Sequence, residues 1–324
     1  MKDRALVVLG PTATGKTSLA LELSKFMSIE IISLDSALVY RGMDIGTAKP
    51  DQEELAMCPH HLVNIRDPAQ SYSAADFRSD CIKLVKEICK RNALPVICGG
   101  TMMYYKALCD GLSPLPRTDP KVRESIASEA LSSGWAAMHE KLKEIDPPLY
   151  EKLAPNDRQR VSRALEVYAM TGKPLSSFYG KKGESCPFMR AEAVLLPEND
   201  RSKLRVQIRE RFMLMLERGL INEVASLRDR GDLNINTSSM RAVGYRQVWE
   251  YLDGRVSYEQ MIENAVIATA RLAKHQMTWL RGGLSDDGCV RRLILRPSDP
   301  DNLKSVLGLV SKLNEKASDA GNAG

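Results

Sequence analysis

Gly10-Pro11-Thr12-Ala13-Thr14-Gly15-Lys16-Thr17 follows an apolar run at residues 5–9 and precedes an apolar-periodic segment at residues 19–26. This strand–loop–helix context is what a phosphate-binding P-loop requires. The two glycines let backbone N–H groups turn inward, so that with the helix N-terminus they form a cradle for a di- or triphosphate. The Lys16 ammonium adds a point charge, and the Thr17 hydroxyl suits Mg²⁺. The motif predicts a phosphate ligand but does not say which molecule carries it.

The first hundred residues alternate short apolar strands with helices. We predict strands at residues 5–9, 29–34, 61–65 and 95–98 and helices at residues 16–27, 74–91 and 102–110. This alternation favours an α/β fold, a P-loop NTPase-like parallel sheet covered by helices. In such sheets the chemistry lies beyond the carboxyl ends of the strands.

The alternation stops between residues 113 and 189, where prolines and glycines punctuate a helical pattern without strand-like periodicity. We therefore predict a core in two parts, residues 1–112 and 190–313, interrupted by a small all-helical insertion domain at residues 113–189. The second part is mostly helical (200–218, 220–230, 257–281), with strands at 191–196 and 292–295. The tail, residues 314–324, is rich in Ala, Gly, Asp and Asn and is predicted to be disordered.

Composition excludes some classes of protein. No apolar run among the 324 residues approaches the length of a membrane span, and the first strand begins too early for a signal peptide. The seven cysteines form no C-x-x-C pair, which indicates reduced thiols and a cytoplasmic protein. The net charge is +5, and residues 201–281 account for it. This local excess is compatible with nucleic-acid binding, and equally with solvated helix faces.

Asp35 ends the predicted strand at residues 29–34, so its carboxylate should lie near the bound phosphate. Three roles are open from position alone. The carboxylate can hold Mg²⁺ through water, act as a general base for an incoming nucleophile, or cap the next element.

Gly99-Gly100-Thr101 follows the predicted strand at residues 95–98. The glycines permit a tight turn and a close approach of backbone to ligand. Thr101 would then begin a helix, with its hydroxyl either facing the site or serving only as an N-cap.

Arginines cluster at three further places. Two clusters suit RNA, because guanidinium forks match phosphates and aromatic rings stack on bases, although such faces are usually solvated. They read Asp157-Arg158-Gln159-Arg160-Val161-Ser162-Arg163 and Arg241-Ala242-Val243-Gly244-Tyr245-Arg246. On the predicted helix 200–218, Arg205, Arg209 and Arg211 are candidates for stabilising the charge of a leaving group.

Together these segments resemble the bacterial tRNA dimethylallyltransferases, also called tRNA isopentenyltransferases, over nearly the whole chain to about Leu280. The matching stretches are the P-loop, Asp35-Ser36, residues 40–50 (YRGMDIGTAKP), Gly99–Thr101, residues 160–166 (RVSRALE), 241–246 (RAVGYR) and 276–281 (QMTWLR). Two departures are visible. Leu38 stands where many members carry Gln, and the Cys/His zinc module of eukaryotic members is absent.

The resemblance implies transfer of a dimethylallyl group from dimethylallyl diphosphate to N6 of adenosine 37 in the tRNA anticodon stem-loop, with release of pyrophosphate. It implies Asp35 and Thr101 as catalytic residues, Mg²⁺ on Thr17, and a diphosphate held by the P-loop and Arg211. The implied tRNA-binding residues are Asp35, Ser36, Ala37, Leu38, Thr101, Arg123, Gln159, Arg160, Arg163, Arg241, Gly244, Tyr245 and Arg246. We expect a monomer with no membrane partner. A small-molecule kinase with ATP in the P-loop, or an RNA-binding NTPase switch, would share the motif.

Overall fold

The computed structural model describes residues 2–113, 115–116, 118–179, 183–197 and 201–322. The chain divides into two compact units. The first comprises Met1–Cys109 and Cys186–Gly324, and the second comprises Asp110–Ser185.

The first unit is built on a parallel sheet. Its strands, as far as the described residues show, are β1 (Arg4–Leu9), β2 (Ile29–Leu34), β3 (His60–His61), β4 (Leu94–Gly99), β5 (Met189–Leu195) and β6 (Cys289–Leu295), in the order β3-β2-β4-β1-β5-β6. The α-helices within the described ranges are α1 (Lys16–Ser24), α2 (Gln52–Met57), α3 (Ala74–Lys90), α4 (Met102–Asp110), α5 (Pro120–Glu140), α6 (Leu142–Ile145), α7 (Pro147–Lys152), α8 (Arg158–Thr171), α9 (Arg201–Glu217), α10 (Leu220–Asp229), α11 (Tyr245–Leu252), α12 (Tyr258–Gly282) and α13 (Asn302–Asn322). The predicted α/β class with a parallel sheet is confirmed.

Both faces of the sheet are covered, which explains why its central strands read as continuous apolar runs. Along β1, residues 5, 7 and 9 point into a core shared with α3, α4 and the helices α9–α12. Residues 6 and 8 point into a second core shared with α1 and α13. Because successive side chains of a strand point to opposite faces of the sheet, β1 contributes side chains to both cores.

The strand register brings the carboxyl ends together. Leu9 of β1 and Leu34 of β2 are both partners of Gly99 at the end of β4, and Leu9 is also paired with Val194 of β5. The loops that follow these four strands must therefore lie side by side along one edge of the sheet.

Two parts of the first unit differ from expectation. The strand predicted at residues 61–65 is only the two-residue β3. The tail predicted to be disordered from residue 314 instead continues α13 to Asn322, and Leu313 and Ala317 are both completely buried against the sheet. Burial of an apolar stripe outweighs the loop-like composition of this segment.

The second unit is a small helical domain of α5–α8 with its own core, which includes Ile126, Met138, Leu142 and Val161. Its span, Asp110–Ser185, lies close to the predicted insertion at 113–189. Its two chain ends run against each other: a Cβ added to Gly111 would lie 2.6 Å from the Glu184 carbonyl oxygen. The glycine is required by this backbone-to-backbone contact.

None of the helices in the described ranges combines the length and the apolar character that a bilayer-spanning segment needs.

Candidate active site at the carboxyl edge of the sheet

The P-loop joins β1 to α1 and is shaped by left-handed backbone at two positions, Ala13 (φ 66°) and Gly15 (φ 77°). The Thr14 hydroxyl donates to the Pro11 carbonyl across 2.9 Å and closes the loop from inside. Gly15 stands at the N-cap of α1 and offers no side-chain cap. The first amides of α1 thus keep their capacity to bind an anion, as an uncapped helix N-terminus does.

Lys16 folds back over the loop, where its Nζ donates to the Pro11 carbonyl at 2.6 Å. Burial lowers the pKa of this ammonium, whereas the neighbouring Cys98 thiol and Asp35 carboxylate oppose the shift, and Arg211 reinforces it. A buried cation next to a second cation is stabilised by an incoming anion. The local charge therefore favours a ligand with several negative charges.

Asp35 follows β2 directly, and its carboxylate organises the next turn. Oδ1 accepts hydrogen bonds from the amides of Ala37 at 2.8 Å and Leu38 at 3.4 Å. Within the described residues, no donor is recorded at Oδ2. Capping is therefore one role of Asp35, and its second oxygen can still take a proton or a metal-bound water.

Thr101 follows β4 and precedes α4, and its Oγ1 accepts from the Ser36 amide at 3.1 Å. No acceptor for its hydroxyl proton is found among the described residues, so this proton is available for a ligand. The amides of Gly100 and Thr101 both donate to the Leu34 carbonyl, at 3.2 and 3.1 Å. A Cβ at Gly99 would lie 2.2 Å from the same carbonyl oxygen, so glycine is needed where the two loops meet.

Gln276 on α12 joins two of these loops, and no role for it was predicted. Its Oε1 accepts from the Thr12 amide at 3.2 Å, and its Nε2 donates to the Gly100 carbonyl at 2.9 Å. The side chain therefore fixes the P-loop against the loop that carries Thr101. The available signal is its place at the start of the family-matching stretch QMTWLR; its residue type gives none, since glutamine on a long amphipathic helix usually faces solvent.

A cavity of about 660 Å³ opens among these loops, a size typical of small-ligand sites. Its polar lining includes the P-loop from Thr12 to Thr17, Asp35, Ser36, Thr101, Arg211, Arg241 and Gln276. Its apolar lining includes Met103, Ile208, Phe212, Met215, Leu272 and Trp279. Such a cavity can hold a molecule with one anionic and one apolar end.

Of the three arginines predicted on helix 200–218, one lines the cavity. Burial lowers the pKa of Arg211 while the charge of Asp35 raises it, and a guanidinium stays protonated under all ordinary conditions. Arg205 and Arg209 are exposed and both pair with Glu263, at 3.0 and 3.1 Å. Arg211 is thus the residue of this helix placed to meet a ligand.

The residues of the 241–246 cluster lie in different surroundings in the structure. Arg241 and Gly244 line the cavity. Tyr245 is completely buried, and its hydroxyl donates to Glu223 at 2.5 Å. Tyr245, for which a tRNA contact is predicted, therefore has its ring in the core: Gly244 (φ 93°) turns the chain into α11 with the ring facing inward. Arg246 is exposed and pairs with Glu250 at 3.2 Å.

In the second unit, the predicted tRNA-binding arginines differ in how they are engaged. Arg123 and Arg163 both hold the buried carboxylate of Glu166, at 2.9 and 3.4 Å, and Arg163 is only 27% exposed. Arg160 is 66% exposed and pairs with Asp157 on its own helix, and Gln159 beside it is exposed. Arg160 and Gln159 are thus accessible, whereas Arg163 mainly secures the domain.

The residues at the P-loop include an oxygen ligand of the kind that Mg²⁺ takes. Thr17 lines the cavity with a hydroxyl oxygen, and Mg²⁺ is commonly held by few protein oxygens together with phosphates and waters. In the described residues, no three His, Cys, Asp or Glu side chains converge to form a metal site.

Comparison with known proteins places the chain in one family. The IPP transferase family matches residues 38–283. A tRNA isopentenylpyrophosphate transferase from Bacillus halodurans is 35% identical over 99% of this chain and 100% of its own, with a TM-score of 0.70. A tRNA delta(2)-isopentenylpyrophosphate transferase from Staphylococcus epidermidis is 30% identical over 97% and 100%, with a TM-score of 0.67.

A eukaryotic dimethylallyltransferase acting on tRNA is 25% identical over 94% of this chain and 77% of its own, with a TM-score of 0.76. The structural likeness thus extends across nearly all of the chain and to a relative of lower identity. This chain is an enzyme of the IPP transferase family, a prenyltransferase.

Proposed function

We propose that this enzyme transfers a dimethylallyl group from dimethylallyl diphosphate to N6 of adenosine 37 in tRNA, giving N6-(dimethylallyl)adenosine and pyrophosphate. One observation carries the proposal: the P-loop, Asp35, Thr101 and Arg211 all line a single cavity that also has apolar walls. The family relationship supports prenyl transfer to tRNA, because the three structures compared above are tRNA prenyltransferases by name.

The diphosphate would occupy the P-loop. The uncapped amides at the start of α1, the Lys16 ammonium and the Arg211 guanidinium would surround its oxygens. When bound, Mg²⁺ on the Thr17 hydroxyl would add positive charge to the same oxygens. These groups stabilise the charge that grows as the C1–O bond of the donor breaks, which is usually the largest contribution to catalysis.

The acceptor amine would approach Asp35 and Thr101. The N6 lone pair is delocalised into the purine, so the amine is a weak nucleophile until its proton is drawn away. As the new bond from N6 to C1 forms, Asp35 Oδ2 would accept the proton from N6. The Thr101 hydroxyl, whose oxygen already accepts from Ser36, would donate to the substrate and orient it.

The acceptor base must leave its stack to enter a cavity of this kind, at a cost of a few kcal/mol. Met103, Phe212 and Trp279 line the cavity with apolar surface suited to the isoprenoid chain. Arg241 in the same lining and Arg160 on the helical unit are accessible cations suited to RNA phosphates.

Radiolabel transfer tests the proposal against its alternatives. The protein is incubated with Mg²⁺, an unmodified tRNA that carries adenosine 37, and either allyl-labelled dimethylallyl diphosphate or γ-labelled ATP. We expect label to enter the tRNA from the prenyl donor, and none to enter a matched tRNA with guanosine at position 37. Label transferred only from ATP would identify a kinase and contradict the proposal.

A further inference from the structure

Glu223 on α10 makes an unusual set of contacts for a residue on a half-exposed helix face. Its Oε2 accepts from the amides of Asp44 at 2.9 Å and Ile45 at 2.8 Å. Its Oε1 accepts from the Gly46 amide at 3.2 Å and from the Tyr245 hydroxyl at 2.5 Å. No salt bridge to Glu223 is found among the described residues, so backbone dipoles and one hydroxyl balance its charge.

The amides belong to a turn, residues 44–49. The last residue of this turn, Lys49, also stabilises it. This ammonium is 5% exposed and reaches Asp44 Oδ1 at 2.5 Å, the Tyr40 carbonyl at 2.7 Å and Asn64 Oδ1 at 2.6 Å. Ala48 in the same turn has φ 49°. A non-glycine residue in this region is unfavourable and persists only where its surroundings impose it.

The turn faces the site. Gly46, Thr47 and Ala48 line the same cavity as the P-loop and Asp35. Gly46 also packs against the ring of Tyr245 so closely that an added Cβ would lie 2.5 Å from the ring atom Cε2. The buried tyrosine therefore touches the turn directly through its ring and indirectly through Glu223.

We propose that Glu223 is a positioning residue for the reaction, and this inference rests on the proposed function. The Glu223 carboxylate, oriented by the Tyr245 hydroxyl, fixes the turn 44–49 at the place where substrate binds. It joins two separate stretches of sequence, residues 40–50 and 241–246, into one wall of the cavity. In this proposal the Tyr245 side chain acts through its contact with Glu223, because its ring is buried.

The test compares three variants in the complete protein. Glu223→Gln keeps the size of the side chain, but its amide nitrogen must face either the amides of the turn or the tyrosine hydroxyl. Tyr245→Phe keeps the ring that packs on Gly46 and removes the hydroxyl. Asp229→Asn is the matched control, because Asp229 is an exposed acid on the same helix outside the site.

We expect Glu223→Gln to lower kcat/KM by about 10–100-fold, since small displacements of site groups have effects of this size. Tyr245→Phe should lower it by about 2–10-fold, the value of one net hydrogen bond. Both variants lose hydrogen bonds and should therefore be somewhat less stable, so the kinetics are measured well below their thermal midpoints. Because the hydroxyl acts through the carboxylate, the double variant should be no worse than Glu223→Gln alone. Asp229→Asn should match the wild type.

Amide hydrogen exchange provides a readout that does not depend on the reaction. In Glu223→Gln, the amides of residues 44–46 should exchange faster, while those of the sheet stay protected. Normal exchange at these amides, normal kinetics in Glu223→Gln, or additive losses in the double variant would each overturn the inference. Failure of the wild type to prenylate tRNA would instead overturn the proposed function, and exchange would still decide whether Glu223 holds the turn.

Discussion

Replacing Asp35 by asparagine separates the two things that this side chain does. In the structure, Oδ1 accepts from the amides of Ala37 and Leu38, whereas Oδ2 is left for the substrate. Asparagine retains an oxygen that can cap the turn in the same way, and asparagine and aspartate are about equally good at this. Asp35→Asn therefore removes the base and its charge while it keeps the local structure.

The expected size of the effect follows from these contacts. Loss of a general base lowers kcat by about 10²–10⁴-fold, which corresponds to about 2.7–5.4 kcal/mol of transition-state stabilisation. The free energy of unfolding should stay unchanged in Asp35→Asn. It should fall by about 0.5–1.5 kcal/mol in Asp35→Ala, because the alanine variant also loses the hydrogen bond to the turn.

Single-turnover transfer of labelled dimethylallyl to tRNA, with both substrates saturating, measures the chemical step. Equilibrium binding of tRNA and urea unfolding are measured on the same preparations. If the Asp35→Asn variant keeps a third or more of the wild-type single-turnover rate, the carboxylate only shapes the turn. A loss of tRNA affinity as large as the loss of rate would show that Asp35 is chiefly an RNA ligand.

Three further predictions concern charge and the bonds between loops. Burial lowers the pKa of Lys16. The affinity for dimethylallyl diphosphate should therefore be full below that lowered pKa, where the ammonium is charged, and should fall as the pH rises through it. Lys16→Met should remove this dependence of affinity on pH. Gln276→Leu should lower the free energy of unfolding by about 1–3 kcal/mol, two net hydrogen bonds, and raise KM for the prenyl donor in steady-state assays. Arg160→Ala should weaken tRNA binding and reduce its salt dependence, whereas Arg163→Ala should mainly destabilise the helical unit around the buried Glu166, as seen by thermal unfolding.

Each of these has a result that contradicts it. An unchanged pH dependence of donor binding in Lys16→Met would place the titrating group elsewhere. Wild-type stability in Gln276→Leu would mean that the two loops hold their positions without it. Equal salt dependence in Arg160→Ala and the wild type would show that this arginine touches no phosphate.

The sheet could be predicted from sequence because its signals are local. Fully buried parallel strands produce largely apolar runs: β1 from Ala5 and β4 are such runs, and β2 and β5 are mostly apolar although β2 contains Glu30 and β5 contains Arg190 and Glu192. β3 has only two residues and no such run. The end of α13 was missed for the opposite reason: its composition suggests a loop, and only the position of Ala317 against the sheet shows that it is buried.

Site residues that follow a strand could be located in the same way. Asp35 and Thr101 lie where the strand ends place them, and both reach the cavity. The contacts that could not be predicted are between distant parts of the chain. Gln276 accepts a hydrogen bond from the amide of Thr12, which lies 264 residues away in the sequence. Periodicity within a helix carries no information about such a partner. The burial of Tyr245 could not be predicted either, because an aromatic residue beside arginines has the same local pattern whether it faces RNA or the core.

The two ends of the segment that forms the helical unit lie close together. The Cys186 amide donates to the Cys109 carbonyl at 3.3 Å, and just beyond this pair Gly111 and Gly183 press backbone on backbone. Because the two ends of the inserted helical unit lie close together, the insertion adds little loop-closure entropy to the folding of the first unit. The helical unit can therefore be removed or replaced as a whole. Joining Cys109 to Cys186 through a short glycine linker should yield a folded sheet unit.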